Sequence, residues 1–242
     1  MTIVKSSSLR NRMISKKIFK NKFLRLSECR TYFYLDPMPS EKELKNYYQT
    51  IYWNSRKKKS GVSLRDLQHF ETLKDFAPNY LSKDLVFLNF GSGSGGGISH
   101  LMWLCGLNVI NIDVIKVPNY YENRWKSFES ILQVKDQSVD IVYGSHSLEH
   151  VTNIKEFKLQ VRRILKGTGL VFWEVPNAND SNSGAILGKV HIPHTYYFTS
   201  DFFANWFTEI IMLGEFKEQE DVIKQLPITG NTGHVIRALG KI

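Results

Sequence analysis

Apolar and polar positions along the chain change period several times, and each change marks an element. Residues 40–53 (SEKELKNYYQTIYW) carry helical spacing, with Ser40 as N-cap and Glu43 three residues on to complete a capping box. A second helix is predicted over residues 63–77, stopped by Pro78. LVFLNF (85–90) is a short apolar run that breaks into glycines, the pattern of a strand buried on both faces. SHLMWLCG (99–106) reads as helix and LNVINIDVI (107–115) as a second strand. SVDIVYG (138–144) reads as a third strand, IKEFKLQVRRILKG (154–167) as an amphipathic helix ended by glycine, and GLVFWEVP (169–176) as a fourth strand. SDFFANWFTEIIML (200–213) is predicted to be a helix capped by Ser200, followed by strands near 215–222 and 233–240. No internal repeat is visible.

Strands and helices alternate from residue 85 to about 175, so a mostly parallel sheet with helices on both faces is expected. Ligands of such sheets bind beyond the carboxyl ends of the strands, where strand order reverses. The loops to search are therefore those after Phe90, Asp113, Gly144 and Pro176. The first holds FGSGSGGGISHL, between a strand and a helix. Its glycines allow a tight turn and close approach to a ligand, and the helix N-terminus beyond them presents N–H groups to an anion. Asp113 ends the next strand, about 20 residues on, where an acid accepts hydrogen bonds from a ribose diol. That diol occurs in nicotinamide dinucleotides and in S-adenosylmethionine, and the loop alone does not choose between them.

Composition limits the remaining classes. The chain has 242 residues, 42% of them hydrophobic and 13% aromatic, which is enough for a buried core. No stretch of about 18 apolar residues is present to span a membrane, and the first residues lack the apolar segment and cleavage site of a secretory signal. Cys29 and Cys105 form no CxxC pair, which fits a reduced, cytoplasmic protein, and no metal is expected. The net charge is +9, and nine Lys or Arg against one acid fall within residues 1–30. The basicity thus belongs to an N-terminal arm and to the run Arg56-Lys57-Lys58-Lys59. Ile14, Ile18, Phe19, Phe23 and Leu26 give the arm the spacing of a short amphipathic helix, and its charge leaves open contact with an anionic acceptor or a membrane surface.

LNFGSGSGGGISHLMWLCGLNVINID resembles the first motif of class I S-adenosylmethionine-dependent methyltransferases at Gly91, Gly93, Gly95, Leu101, Gly106, Val109 and Asp113. DQSVDIVYGSHSLEHVTNIKEFKLQVRRILKGTGLVFWEVPN resembles the same family's block built around L-E-H-V and P-N. HTYYFTSDFF looks like its H-x-x-F-T segment, and PMPSEKELKNYYQTIYW like the tyrosine-bearing helix of many bacterial members. The resemblance spans residues 37 to about 240. It implies a Rossmann-like, seven-stranded, mostly parallel sheet behind a helical basic extension (1–36), with a helical cap (37–80) and a core (81–242).

It also implies S-adenosyl-L-methionine as cofactor, bound by Asn89, Gly91, Ser92, Gly93, Gly95, Asp113, Glu129, Ser145 and Tyr48. Asn89 stands where the family has an acid, Ser92 where it has Cys, and Glu129 lies within a residue of the adenine-side acid. His194, His150 and His146 are the candidate proton acceptors, because an imidazole titrates near neutrality. His191, Tyr196 and Tyr197 are candidate acceptor contacts. Tyr48 and Tyr52 share a helix face and are placed to lid the cofactor. NANDSNSGAILG (177–188) reads as a mobile loop near the acceptor. The expected reaction is methyl transfer to a small polar or anionic acceptor, such as a sugar, a nucleotide-linked sugar or a phosphorylated metabolite of cell-surface polysaccharide synthesis. A methyltransferase-like binding protein that does not catalyse is the alternative, suggested by Asn89. A nucleic-acid methyltransferase ranks lower, since the body outside the arm is nearly neutral.

Overall fold

The computed structural model describes residues 2–3, 19–52, 61–93, 96–114, 124–182, 184–191, 193–217, 223–227 and 233–242. In chain order the elements are β1 (Thr2–Ile3), β2 (Phe23–Leu26), β3 (Tyr32–Asp36), α1 (Glu41–Tyr47), α2 (Leu64–Phe76), β4 (Val86–Phe90), α3 (Ile98–Leu104), β5 (Asn108–Ile112) and β6 (Lys126–Phe128). There follow β7 (Val139–Ser145), α4 (Ile154–Ile164), β8 (Leu165–Pro176), β9 (Lys189–Val190), β10 (Tyr196–Phe198), α5 (Ser200–Trp206), β11 (Glu209–Phe216) and β12 (Val235–Lys241). Seven strands form one sheet in the order β11-β12-β8-β7-β4-β5-β6. The five from β8 to β6 run parallel, and β12 and β11 add antiparallel pairs at one edge. The chain leaves β4 for β5 and β6 on one side and returns to β7 on the other. Strand order therefore reverses between β4 and β7, and the loops after those strands face each other.

Alternation along the central strands explains their unbroken apolar sequence. Leu88, Val142, Val171 and Trp173 pack with Phe157, Val161, Ile164, Phe203 and Trp206 of α4 and α5 in one core. Phe87, Ile141, Tyr143, Leu170 and Phe172 meet Leu73 of α2 and Ile98 and Met102 of α3 in a second core on the opposite face. A strand buried on both faces has no polar period, and these strands were predicted on that ground. The capping box of Ser40 and Glu43 is present at the start of α1, and Ser63 with Asp66 forms another at the start of α2.

Four expectations change. The helix predicted through Gly167 ends at Ile164, because Leu165 is buried and turns extended to pair with Val139. The helix predicted through residue 213 ends at Trp206, and its cap position is Thr199. Its tail, EIIML, is instead the start of β11, so the strand expected near 215–222 begins at Glu209; pairing with β12 outweighs local helical spacing. Phe23 and Leu26, placed on an amphipathic helix by their spacing, lie exposed on β2, which pairs with β3; β3 in turn pairs with β10. Within the expected helical extension, Thr2–Ile3, Phe23–Leu26 and Tyr32–Asp36 are strands. Phe19 is buried, while Ile14 and Ile18 lie outside the described residues. Finally, the segment expected to be a mobile loop is anchored: Asn177 donates to the Gly233 carbonyl at 2.9 Å, Ala178 N–H donates to the Phe198 carbonyl at 2.8 Å, and Asp180 is buried.

No helix among the described residues is long and apolar enough to cross a membrane.

Gly144 is the tightest point beneath the strand ends. A Cβ there would lie 2.3 Å from the Trp173 ring and 2.6 Å from Ser147 Oγ. Gly144→Ala should cost roughly 1–3 kcal/mol by overpacking. Gly167→Ala, where nothing lies within 4 Å, should change little. Urea unfolding of the two variants checks this, and equal midpoints would show that Trp173 yields freely.

Candidate active site

The loop after β4 folds back onto the end of β5. Gly91 and Ser92 N–H both donate to the Ile112 carbonyl, at 2.8 and 3.0 Å. Gly93 N–H donates to Asp113 Oδ2 at 2.9 Å. Gly91 and Gly93 have φ of +73° and +57°, a region that favours glycine. A Cβ on Gly91 would also sit 2.5 Å from Ser147 Cβ, so the loop after β4 and the turn after β7 touch. Gly95 lies outside the described residues. Two expectations about this loop change. The first N–H of α3, at Ile98, is taken by Asp66 Oδ1 at 3.0 Å, so a carboxylate of α2 occupies the helix end reserved for a ligand. Asn89 donates to Ser99 Oγ at 2.9 Å, and Ser99 donates to Asn111 Oδ1 at 2.7 Å, a buried chain joining β4, α3 and β5.

Beyond β7 the chain makes a short 3₁₀ turn, Leu148–His150. His146 enters it with φ +50°, a strained conformation for a residue with a side chain. Thr195, just before β10, clamps the turn: its N–H and Oγ1 donate to the Glu149 carbonyl, both at 2.8 Å, and Oγ1 also reaches the Val151 carbonyl at 2.5 Å. This clamp brings His194 against the turn. Glu149 Oε1 then lies 3.6 Å from His146 Nδ1, 3.8 Å from His150 Nε2 and 3.9 Å from His194 Nε2. The structure thus brings the three candidate histidines to one carboxylate, a residue absent from the predicted set. Burial pushes the Glu149 carboxyl up to about 7, against the pull of His146. Burial, with His150, His191 and His146 close by, pulls His194 well below its usual value, which keeps its imidazole neutral. For His146, burial pulls down, but Glu174 and Glu149 outweigh it and raise the imidazole.

A second buried set lies under the first and was not predicted. Glu174 of β8 accepts from Arg237 Nε of β12 at 2.7 Å, His69 Nε2 of α2 at 2.6 Å and Ser145 Oγ at 3.1 Å. Burial alone would raise Glu174; His69, His146 and Arg237 outweigh it and hold the carboxyl well below the usual range. A carboxylate only accepts, so His69 Nε2 carries its proton and Nδ1 accepts from the Tyr143 hydroxyl at 2.6 Å. Burial pushes the Tyr143 phenol well up, so it remains a donor. The sequence did hold a signal: Glu174 and Arg237 are charges inside apolar strands, and such charges need partners.

The remaining candidates separate. Tyr48 lies in a π-helical turn (Tyr48–Tyr52) after α1, its ring centroid 6.0 Å from that of His150. Burial, then Tyr52, Glu149 and Asp113, push its phenol well above 10. Trp53 lies outside the described residues. Glu129 is exposed and pairs with Lys45 of α1 at 3.8 Å. The Tyr197 hydroxyl is engaged by the loop before it, accepting from His191 N–H at 3.0 Å and donating to the His191 carbonyl at 3.2 Å. The Tyr196 hydroxyl accepts from Ile154 N–H at 3.3 Å. Both tyrosines are buried, with their hydroxyls on the backbone of Ile154 and His191.

Residues 63–210, more than half of the chain, match the family model described as a methyltransferase domain. No curated protein matches the chain by sequence. Solved structures of similar fold include a SAM dependent methyltransferase from Archaeoglobus fulgidus, 18% identical with a TM-score of 0.54, covering 74% of this chain and 95% of that one. An S-adenosylmethionine dependent methyltransferase from Mesorhizobium loti is 13% identical with a TM-score of 0.53, covering 73% of this chain and 99% of that one. A Haloferax volcanii putative methyltransferase, solved with the Trm112 methyltransferase activator, is 15% identical with a TM-score of 0.53, covering 73% and 92%. At these identities the likeness is one of fold.

His69 supplies a pH test of the buried set. Burial, with Arg237 and Arg65, outweighs the pull of Glu174 and depresses its pKa. Below about 6.5 the unfolded chain takes up a proton that the folded chain refuses, so this stability is present above 6.5 and is lost as pH falls. Between pH 7.5 and 5.5 the loss should be roughly 1 kcal/mol, measured by urea unfolding and reduced in His69→Gln. Equal pH dependence in the variant would remove His69 from the account.

Proposed function

The chain belongs to the methyltransferase-domain family, and on that premise we propose that it moves the methyl group of S-adenosylmethionine to a hydroxyl of a small polar acceptor. One observation carries the reading. The glycine loop with Asp113 and the cluster of Glu149 with His146, His150 and His194 stand side by side at the switch between β4 and β7, with Gly91 against Ser147 and the Tyr48 ring 6.0 Å from that of His150.

The residues fit the cofactor. Gly91 and Gly93 let the backbone approach it closely, and Asp113, which spends one oxygen on Gly93 N–H, has lone pairs suited to a ribose diol. Ser92 and Ser145 would hold its methionine end, and Glu129 its adenine side. When bound, S-adenosylmethionine supplies a methyl on a sulfonium carbon and its own leaving group. The chain's task is to hold an acceptor oxygen in line with that carbon and to keep water out. An imidazole nitrogen of the cluster would receive the proton of the acceptor hydroxyl and pass it to solvent. The neutral state of His194 suits it to receive a proton, and His146 and His150 are beside it. Tyr48 covers the junction from the α1 side. His191 borders the acceptor, while Tyr196 and Tyr197 act by positioning loops.

The acceptor class we favour is a sugar, a nucleotide-linked sugar or a phosphorylated metabolite of cell-surface polysaccharide synthesis. The lysine-rich arm and Arg56-Lys57-Lys58-Lys59 would meet its anionic groups. The arrangement of Asn89 also bears on the non-catalytic alternative. Its amide serves a buried chain to Ser99 and Asn111, so the missing acid is accounted for by local packing.

Calorimetric titration with S-adenosylmethionine and S-adenosylhomocysteine tests the reading. Both should bind, and Asp113→Ala should weaken them about tenfold or more, as expected for loss of charge-assisted hydrogen bonds of about 1.5–3 kcal/mol. No binding at millimolar ligand would sink the cofactor assignment, and unchanged affinity in Asp113→Ala would remove that residue from the site.

A further inference from the structure

Glu149 and Glu174 are buried to the same depth, each 1% exposed. Glu174 is fully served by Arg237, His69 and Ser145. Neither oxygen of Glu149 accepts a hydrogen bond among the described residues. A buried carboxylate without hydrogen bonds is costly, and a native structure keeps one where something else meets the charge. What faces Glu149 is imidazole. Its Oε1 lies 3.8 Å from His150 Nε2 and 3.9 Å from His194 Nε2, too far for hydrogen bonds. Ligand atoms of Glu149, His150 and His194 all fall within 4.8 Å of one another. Atoms bonded to one ion at about 2.0–2.2 Å stand roughly 3–4.4 Å apart, so closure onto an ion needs only small side-chain rotations.

We propose that Glu149, His150 and His194 form a binding site for a divalent first-row transition-metal ion, in a two-imidazole, one-carboxylate set with positions left open to an oxygen ligand. Such donors suit zinc, iron, cobalt or manganese better than an ion that wants only oxygen. The surroundings are built to hold the three in place. Thr195 locks the backbone of Glu149 to the residue beside His194. His146 lies 3.6 Å from Glu149 Oε1, and the Tyr48 ring stands edge-on to His150. Partners of this kind orient ligands and tune their affinity. An acceptor hydroxyl at an open position would be bound and polarised by the ion, and His146, outside the ligand set, is then the imidazole left to take its proton. This last role rests on the methyltransferase reading; the existence of the site does not.

Chelator-treated protein without a polyhistidine tag should be titrated with Co²⁺ alone, without cofactor, and followed by visible absorption. The expected result is a single ion per chain with ligand-field bands, and a thermal midpoint raised by about 5–10 °C at a hundredfold excess over Kd. His194→Ala and Glu149→Gln should each weaken binding at least ~10-fold, by loss of a direct ligand. His100→Ala, outside the site, should leave it unchanged. Circular dichroism establishes that each variant is folded, and two independent variants guard against one that is not. No stoichiometric binding, or binding undiminished in both folded variants, would overturn the site. Cofactor binding without Co²⁺ binding removes the metal and leaves the methyltransferase reading standing; Co²⁺ binding without cofactor binding does the reverse.

Discussion

The pairing of Glu174 with Arg237 and His69 is the interaction on which the rest of the site depends. It joins β8, β12 and α2 in the centre of the molecule, and through Ser145 and Tyr143 it reaches the end of β7. Removing one partner of such a set leaves an uncompensated buried charge, at a cost of about 3–5 kcal/mol. The network therefore fixes the level at which β7 ends and the turn of His146, Glu149 and His150 begins. His146 is held between the two carboxylates, 3.6 Å from Glu149 and 3.5 Å from Glu174. The strained backbone of His146 is sustained by that double attachment and by its N–H bond to the Glu174 carbonyl at 2.9 Å.

The site above follows from topology. A parallel sheet whose order reverses between β4 and β7 places two loops face to face, and small residues let them meet. Gly91 stands against Ser147, and Gly144 leaves room for Trp173 beneath. One loop is folded onto the end of β5 and Asp113 by its own backbone N–H groups; the other supplies imidazoles and a carboxylate. Thr195 draws a third segment in from β10, and α1 with its π-helical turn closes the side with Tyr48. On the proposed reading, cofactor and acceptor would be served from the ends of different strands.

Much of this was legible in the sequence, for identifiable reasons. Strands buried on both faces announce themselves as short apolar runs, so β4, β5, β7 and β8 were found together with the parallel sheet. The glycine loop, Asp113 and the histidines follow strand ends, which is where the fold puts ligands. What escaped depends on long-range pairing. β11 carries helical spacing locally and becomes a strand because β12 is available. β2 was misread because Phe23 and Leu26 are apolar yet exposed. His69 bonds a residue 105 positions away, and no periodicity reports such a partner, although a lone acid in GLVFWEVP signals that one exists. Glu149 belongs to the L-E-H-V resemblance but was not set among the site residues, since only the fold brings three imidazoles to its carboxylate.

The central claim is that the imidazole–carboxylate cluster faces the methyl group of the bound cofactor. The most direct measurement is nuclear relaxation of S-adenosylmethionine labelled with ¹³C at its methyl carbon, bound to the protein with Mn²⁺ at the cluster. The account predicts strong paramagnetic broadening of the methyl resonance, lost in His194→Ala. A bound cofactor whose methyl resonance stays sharp while Mn²⁺ occupies the cluster would contradict it.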